Sequence, residues 1–190
     1  TGNNTGIATI NSLSYLVSNN LSIIALQRFY SKKYSSLFSS SFSEGGRIQN
    51  ESGVYIGANW QALRHLSLMF YTDYSYFSQP RYQASQSSYC WDNAITATYT
   101  LPRWTLLGRY QYKVRQKDNK NKTALINDVT QRGRLSLAFS SSNWGLRLQG
   151  DAAYNSYKTT SFGWMTTLSG NYTVWHLHLA GTIGYFNTDD

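Results

Sequence analysis

The sequence predicts an all-β protein, an antiparallel up-and-down transmembrane β-barrel. Three features predict it: side chains that alternate in character every second residue, connections that alternate between short and long, and aromatic residues at strand ends. The clearest alternation lies over 104–115, because successive side chains of a strand point to opposite faces. One face carries Trp104, Leu106, Gly108, Tyr110, Tyr112 and Val114, and the other carries Thr105, Leu107, Arg109, Gln111, Lys113 and Arg115.

The composition agrees with this fold although the mean hydropathy is −0.44. Half of each strand in a membrane barrel faces the lumen, so such barrels look polar on average. The 190 residues contain no apolar run long enough for a transmembrane helix, and 16% of them are aromatic. The single cysteine, Cys90, excludes an internal disulfide. We expect one transmembrane barrel region over 1–190 with no separate second domain.

Ten strands are predicted in order along the chain. They cover 6–17, 21–30, 52–60, 65–77, 89–100, 104–115, 130–140, 144–157, 162–172 and 175–186. Short links, such as the Asn19-Asn20 turn and the link over 101–103, alternate with longer loops over 31–51, 78–88, 116–129 and 158–161. Short periplasmic turns and longer extracellular loops are typical of bacterial outer-membrane barrels.

The aromatic residues fall into two belts, as expected for the two membrane interfaces. The belt beside the short turns is Trp60, Tyr99, Trp104, Trp144, Tyr172 and Trp175. The belt toward the long loops is Tyr76, Trp91, Tyr112, Tyr154, Trp164 and Tyr185. A soluble sandwich or lipocalin-like barrel also alternates, but it has little reason to point Trp and Tyr outward in two bands.

The predicted strand count places both ends of the chain on the long-loop side. Complete bacterial barrels ordinarily keep both termini in the periplasm, and residues 187–190 read as the start of a loop. The chain also begins without an initiator Met or a signal peptide. The expectation is an incomplete part of a larger barrel, with about ten of its strands present.

Three segments resemble a known family: GGRIQNESGVYIG at 45–57, RYQASQSSYCWDN at 81–93 and AGTIGYFNTDD at 180–190. The family comprises large Bacteroidota outer-membrane proteins called helix-hairpin-helix domain proteins, in which helical repeats precede a C-terminal barrel. The resemblance covers the barrel part only. It implies the outer membrane as location and further strands beyond residue 190, and it assigns no activity.

The best candidate site is a basic wall on three adjacent strands. Its members are Arg109, Lys113, Arg115, Arg132, Arg134 and Arg147. Arg and Lys rings inside a pore favour anions, and guanidinium forks suit carboxylate or phosphate. The alternative is that these cations pair with acidic groups, in part with Asp73 and Asp151 or otherwise with absent strands or a plug.

Other chemistry has less support. Lysines over 117–122 suggest nucleic acid only slightly, and solvated loop charge explains them better. His176 and His178 share a strand face, but no third metal ligand is near, so lumen hydrogen bonding is the better interpretation. No catalytic motif accompanies the serines and histidines, and Cys90 reads as a small residue near the loop interface. We expect no catalytic residues, no metal and no cofactor.

The predicted function is binding or transport in the bacterial outer membrane, through a porin-like pore whose basic lumen favours anions. The partners expected are the lipid bilayer, an anionic solute and other outer-membrane proteins in a complex. The main alternative is a structural barrel that anchors such a complex without transport. An outer-membrane hydrolase is a distant third.

Overall fold

A computed structural model describes residues 5–34, 42–44, 48–175 and 177–189. The chain forms ten strands, and no helix long and apolar enough to cross a membrane occurs among the residues described. The strands are β1 Ala8–Ser18, β2 Leu21–Tyr30, β3 Glu51–Leu63, β4 Leu66–Phe77, β5 Ser88–Thr100, β6 Trp104–Asp118, β7 Leu125–Ser140, β8 Trp144–Tyr157, β9 Thr159–Val174 and β10 Leu177–Asp189.

Each strand pairs antiparallel with its neighbours in sequence, so the sheet runs in the order β1 to β10. The predicted all-β, up-and-down architecture and its strand count are therefore confirmed. Within the described part of the chain, β1 and β10 do not pair with each other, and the sheet is open at these two edges.

Several strands are longer than the sequence predicts at the long-loop side. β6 and β7 remain paired as far as Asp118 and Leu125, so the loop predicted over 116–129 shortens to 119–124. The loop predicted over 158–161 shortens to Lys158. Backbone pairing continues there although the side chains no longer alternate between apolar and polar, and the alternation was the signal used to place the strand ends.

Trp175 is a correction to the predicted last strand. It lies in the turn before β10 with a positive φ of 53°, and 95% of the side chain is exposed. The tight turn predicted at 173–174 is displaced accordingly, since β9 ends at Val174 and β10 begins at Leu177. Trp175 therefore belongs to a short turn, and it is not the first outward residue of a strand.

The pairing register defines two faces of the sheet. The outer face contains Trp104. Residues directly opposite one another across the strands share a face, so the outer face also contains every other predicted belt residue except Trp175. Most large apolar side chains on this face are exposed, among them Val54, Trp91, Ile95, Tyr110 and Trp144. The inner face contains Arg109 and is mainly polar.

Buried residues concentrate on the inner side at the long-loop ends of β2 to β6. The most completely buried are Arg28, Tyr30, Glu51, Ser75, Ser88 and Cys90. The strands β1 and β10 are exposed on both faces throughout. The packed part of the molecule is therefore a largely polar and ionic cluster beneath the long loops, and few large apolar side chains are buried among the described residues.

Candidate functional site

The register brings all six predicted basic-wall residues onto the inner face. Arg109 of β6 lies directly opposite Arg134 of β7, and Arg132 lies opposite Gln111, which shares the inner face with Lys113 and Arg115. Arg147 of β8 lies opposite Ala138, which in turn lies opposite Thr105 of β6.

Two members of the wall form ion pairs with the same loop carboxylate. Glu44, from the loop between β2 and β3, lies 2.8 Å from Lys113 Nζ and 2.5 Å from Arg115 Nη2 through its Oε1 atom. Lys113 Nζ is also 3.1 Å from Asp92 Oδ2 on β5. Burial alone would raise the pKa of Glu44, but the hydrogen bonds and charges of Lys113 and Arg115 outweigh it and lower that pKa.

A third member, Arg134, pairs within the sheet. Its Nε lies 2.6 Å from Asp151 Oδ1 on the neighbouring strand, directly opposite in register. Asp151 also accepts a hydrogen bond from Gln149 at 2.6 Å. The predicted role of Asp151 as a partner of the wall is borne out, whereas the same expectation for Asp73 is wrong because Asp73 pairs with Arg28.

Arg109, Arg132 and Arg147 take part in no ion pair among the described residues, and all three are exposed. We call them the open row. Arg109 and Arg132 line a cavity of about 540 Å³ that also contains Arg134, Asp151, Met165 and Phe186. Within this stretch of the inner face, cationic groups outnumber carboxylates, so its net charge is positive.

The most buried ionic group is centred on Arg28 and was not predicted from the sequence. Its Nε lies 2.5 Å from Glu51 Oε1, its Nη1 lies 2.8 Å from Asp73 Oδ1, and its Nη2 donates to Ser75 Oγ at 2.5 Å. The guanidinium also lies over the ring of Phe42, 4.7 Å from its centroid. One signal was available: Arg28 is the only charged residue in the apolar segment LSIIALQRFY.

The loop lysines are divided by the structure. Lys117 belongs to β6, where its Nζ lies 2.7 Å from Asp128 Oδ2 and over the ring of Tyr157. The expectation that it is solvated loop charge is therefore wrong for this residue. Lys120 and Lys122 are exposed in the loop as expected.

The histidines show hydrogen bonding. His178 Nδ1 lies 2.9 Å from Thr173 Oγ1, and His65 Nδ1 lies 2.9 Å from the carbonyl oxygen of Thr100. His176 lies outside the described residues. The part of the chain that the structure describes contains no group of three or more His, Cys, Asp or Glu side chains arranged to hold a metal ion. Cys90 is buried and directly opposite Arg115 in the sheet, near the loops.

The fold is similar to that of a solved receptor structure. A crystal structure of a mutant ferric enterobactin receptor from Pseudomonas aeruginosa aligns with a TM-score of 0.66 at 9% sequence identity. The alignment covers 99% of this chain and 38% of the receptor chain, so this chain spans less than half of the receptor's length. No protein-family model and no curated protein matches the sequence.

Proposed function

We propose that this chain forms part of the barrel wall of a bacterial outer-membrane protein that binds or transports anionic solutes. The observation that carries the proposal is the open row, three guanidinium groups without acidic partners on the inner face of a sheet whose outer face is apolar and aromatic. Passive attraction of anions by these charges is the mechanism.

The outer face supports a location in the membrane. Trp104 and Tyr112 lie on that face eight residues apart, roughly 27 Å along the strand. At a tilt of about 40° this spacing covers roughly 20 Å along the membrane normal, near the height of the apolar band of such barrels. In a soluble protein, a contiguous apolar surface of this extent would ordinarily be buried.

The similar receptor supports binding or uptake in preference to catalysis. That protein is named as a receptor for ferric enterobactin. At such low identity the likeness supports the general class of role, and we carry over neither the ligand nor any residue. We also propose that the chain is not an enzyme, since its serines and histidines occur in no catalytic sequence motif.

A second candidate function is a structural barrel that anchors an outer-membrane complex without transport. The ion pairs of Glu44 favour it, because a loop carboxylate that reaches the inner face binds both Lys113 and Arg115 and occupies space there. Membrane lipid is a partner in both proposals, and other outer-membrane proteins are partners in the second.

Conductance in planar bilayers separates the two candidates. The full-length protein is reconstituted under a salt gradient, and the reversal potential is expected to report anion preference. The variant Arg109→Gln/Arg132→Gln/Arg147→Gln should lose that preference. A matched control, Arg64→Gln/Arg103→Gln/Lys120→Gln, removes three exposed charges outside the wall and should retain it.

The outcomes are distinct. Equal anion preference in both triple variants would refute the role of the open row. A reconstituted and correctly folded protein that does not conduct would favour the structural barrel.

A further inference from the structure

The loop between β4 and β5 is fixed at both of its ends by hydrogen bonds to neighbouring segments. On one side, Asn50 Oδ1 accepts hydrogen bonds from Ser78 Oγ at 3.0 Å and from the backbone N–H of Gln79 at 3.1 Å. On the other side, Asp118 Oδ1 accepts from the backbone N–H of Ser85 at 2.9 Å and from its hydroxyl at 2.6 Å. The loop is therefore held before any ligand arrives.

The same loop carries Arg81 in a tight turn. Its backbone N–H donates to Ala84 at 2.8 Å, and the N–H of Ala84 donates back at 3.0 Å. The next link is the N–H of Asp118, which donates to the carbonyl of Gln83 at 2.7 Å. These hydrogen bonds join backbone atoms, so the polar atoms of the Arg81 side chain take no part in holding the turn.

The Arg81 guanidinium lies over the ring of Phe77, 3.7 Å from its centroid. Its Nη2 atom is buried and has no hydrogen-bond partner, and the same holds for Nε of Arg115. No ion pair of Arg81 occurs within the described ranges. Burial lowers the pKa of Arg81, and the positive charge of Arg115 lowers it further.

Arg81 and Arg115 line one cavity of about 750 Å³, which we call the mouth cavity. Lys117 and the amides of Gln49 and Gln116 line it too. Among its described lining residues the acidic group is Glu44, whose carboxylate is already shared between Lys113 and Arg115. Lys117 is balanced by Asp128, so Arg81 is the lining cation whose charge no carboxylate balances among the described residues.

We infer that the mouth cavity is a binding site for the oxyanion group of a soluble solute, a phosphate or a carboxylate, with Arg81 as its principal ligand. A guanidinium presents paired N–H donors that match the oxygens of both groups. Gln49 and Gln116 supply amide donors beside it. The proposed ligand is a dissolved solute and not a lipid headgroup, because Arg115 and Lys117 belong to the inner face, away from the apolar outer face.

This inference rests on the proposed function only in treating the inner face as the solute's route. The mouth cavity shares no residue with the open row, so the two sites are tested separately.

The test is isothermal titration calorimetry of the full-length protein in detergent, with inorganic phosphate and with citrate as separate probes. Saturable binding of at least one probe is expected. Arg81→Gln should weaken it at least tenfold, and Arg81→Lys should weaken it less because charge remains although the fork is lost. Arg103→Gln, an exposed arginine in the short link between β5 and β6, is the matched control and should bind as the unaltered protein does.

Arg81→Gln should leave the loop in place, since the bonds that fix the loop come from its backbone, from Ser78 and Ser85, and from Asn50 and Asp118. A thermal unfolding curve checks this. Unchanged affinity in Arg81→Gln, or the absence of saturable binding of both probes, would overturn the inference. Anion-selective conductance without binding of either probe would refute the mouth cavity as a binding site but not the proposed pore. Binding without conductance would refute the pore but not the binding site.

Discussion

Replacement of Arg28 by Met should be the most destabilising single change on the inner face. Arg28 is 0% exposed and its guanidinium contacts two carboxylates, Glu51 at 2.5 Å and Asp73 at 2.8 Å. Removal of the cation leaves both carboxylates with an unbalanced charge, and breaking a buried pair in this way costs about 3–5 kcal/mol. Met fills a similar volume, so the expected loss is mainly electrostatic.

The comparison at a more exposed ion pair is Arg134→Met. That arginine also pairs with one carboxylate at a short distance, but its side chain is 49% exposed. Water solvates the remaining Asp151, so the expected cost is only about 0–1 kcal/mol. The triple variant Arg28→Met/Glu51→Gln/Asp73→Asn removes the unbalanced charges and should be more stable than Arg28→Met alone.

The assay is equilibrium urea unfolding in lipid vesicles, followed by tryptophan fluorescence. The difference in free energy of unfolding between each variant and the unaltered protein is the measured quantity. A loss below about 1 kcal/mol for Arg28→Met, or equal losses for Arg28→Met and Arg134→Met, would refute the argument that burial makes this cluster costly to break.

Three further predictions follow from the inner and outer faces. The pKa of Glu44 is lowered from its ordinary value of 4.5, so its ion pairs should persist at pH 4.5 and above and be lost as the pH falls through the lowered pKa. An NMR titration of the Glu44 carboxyl carbon should show this midpoint, and Arg115→Gln should raise the pKa. Gly53→Ala should destabilise the protein in the urea assay, because an added Cβ would lie 2.7 Å from the Cζ of a buried and immobilised guanidinium, whereas Gly150→Ala should be neutral since nothing lies within 4 Å. Brominated phospholipids should quench the fluorescence of the outer-face tryptophans in reconstituted protein, and failure to quench would contradict a lipid-facing outer surface.

Strand identity and the two faces were predictable because both depend on local periodicity. Alternation within a single strand, as over 104–115, assigns every side chain to a face before any partner strand is known. Once the short and long connections were recognised, the up-and-down order followed with no long-range information. This is why the six wall residues were assigned correctly to one face.

The ionic partners were not predictable in the same way. Glu44 and Lys113 are separated by 69 residues, and no periodicity links a loop residue to a strand two hairpins away. Arg28 and Asp73 are 45 residues apart and meet only because the register of β2, β3 and β4 aligns them. Partner choice is a property of register and loop path, which the alternating pattern leaves open.

The distribution of these partners divides the inner face into two electrostatic regions. Beneath the loops, Arg28, Lys113, Arg115 and Lys117 are each matched by a carboxylate, so that region contributes stability and shape. Along β6 to β8 the open row has no such match, and its field acts on whatever occupies the inner side. Charge counted over the whole chain would assign one role to all these residues. Their pairing instead separates inner-face cations that hold the loop end together from inner-face cations that have no carboxylate partner among the described residues.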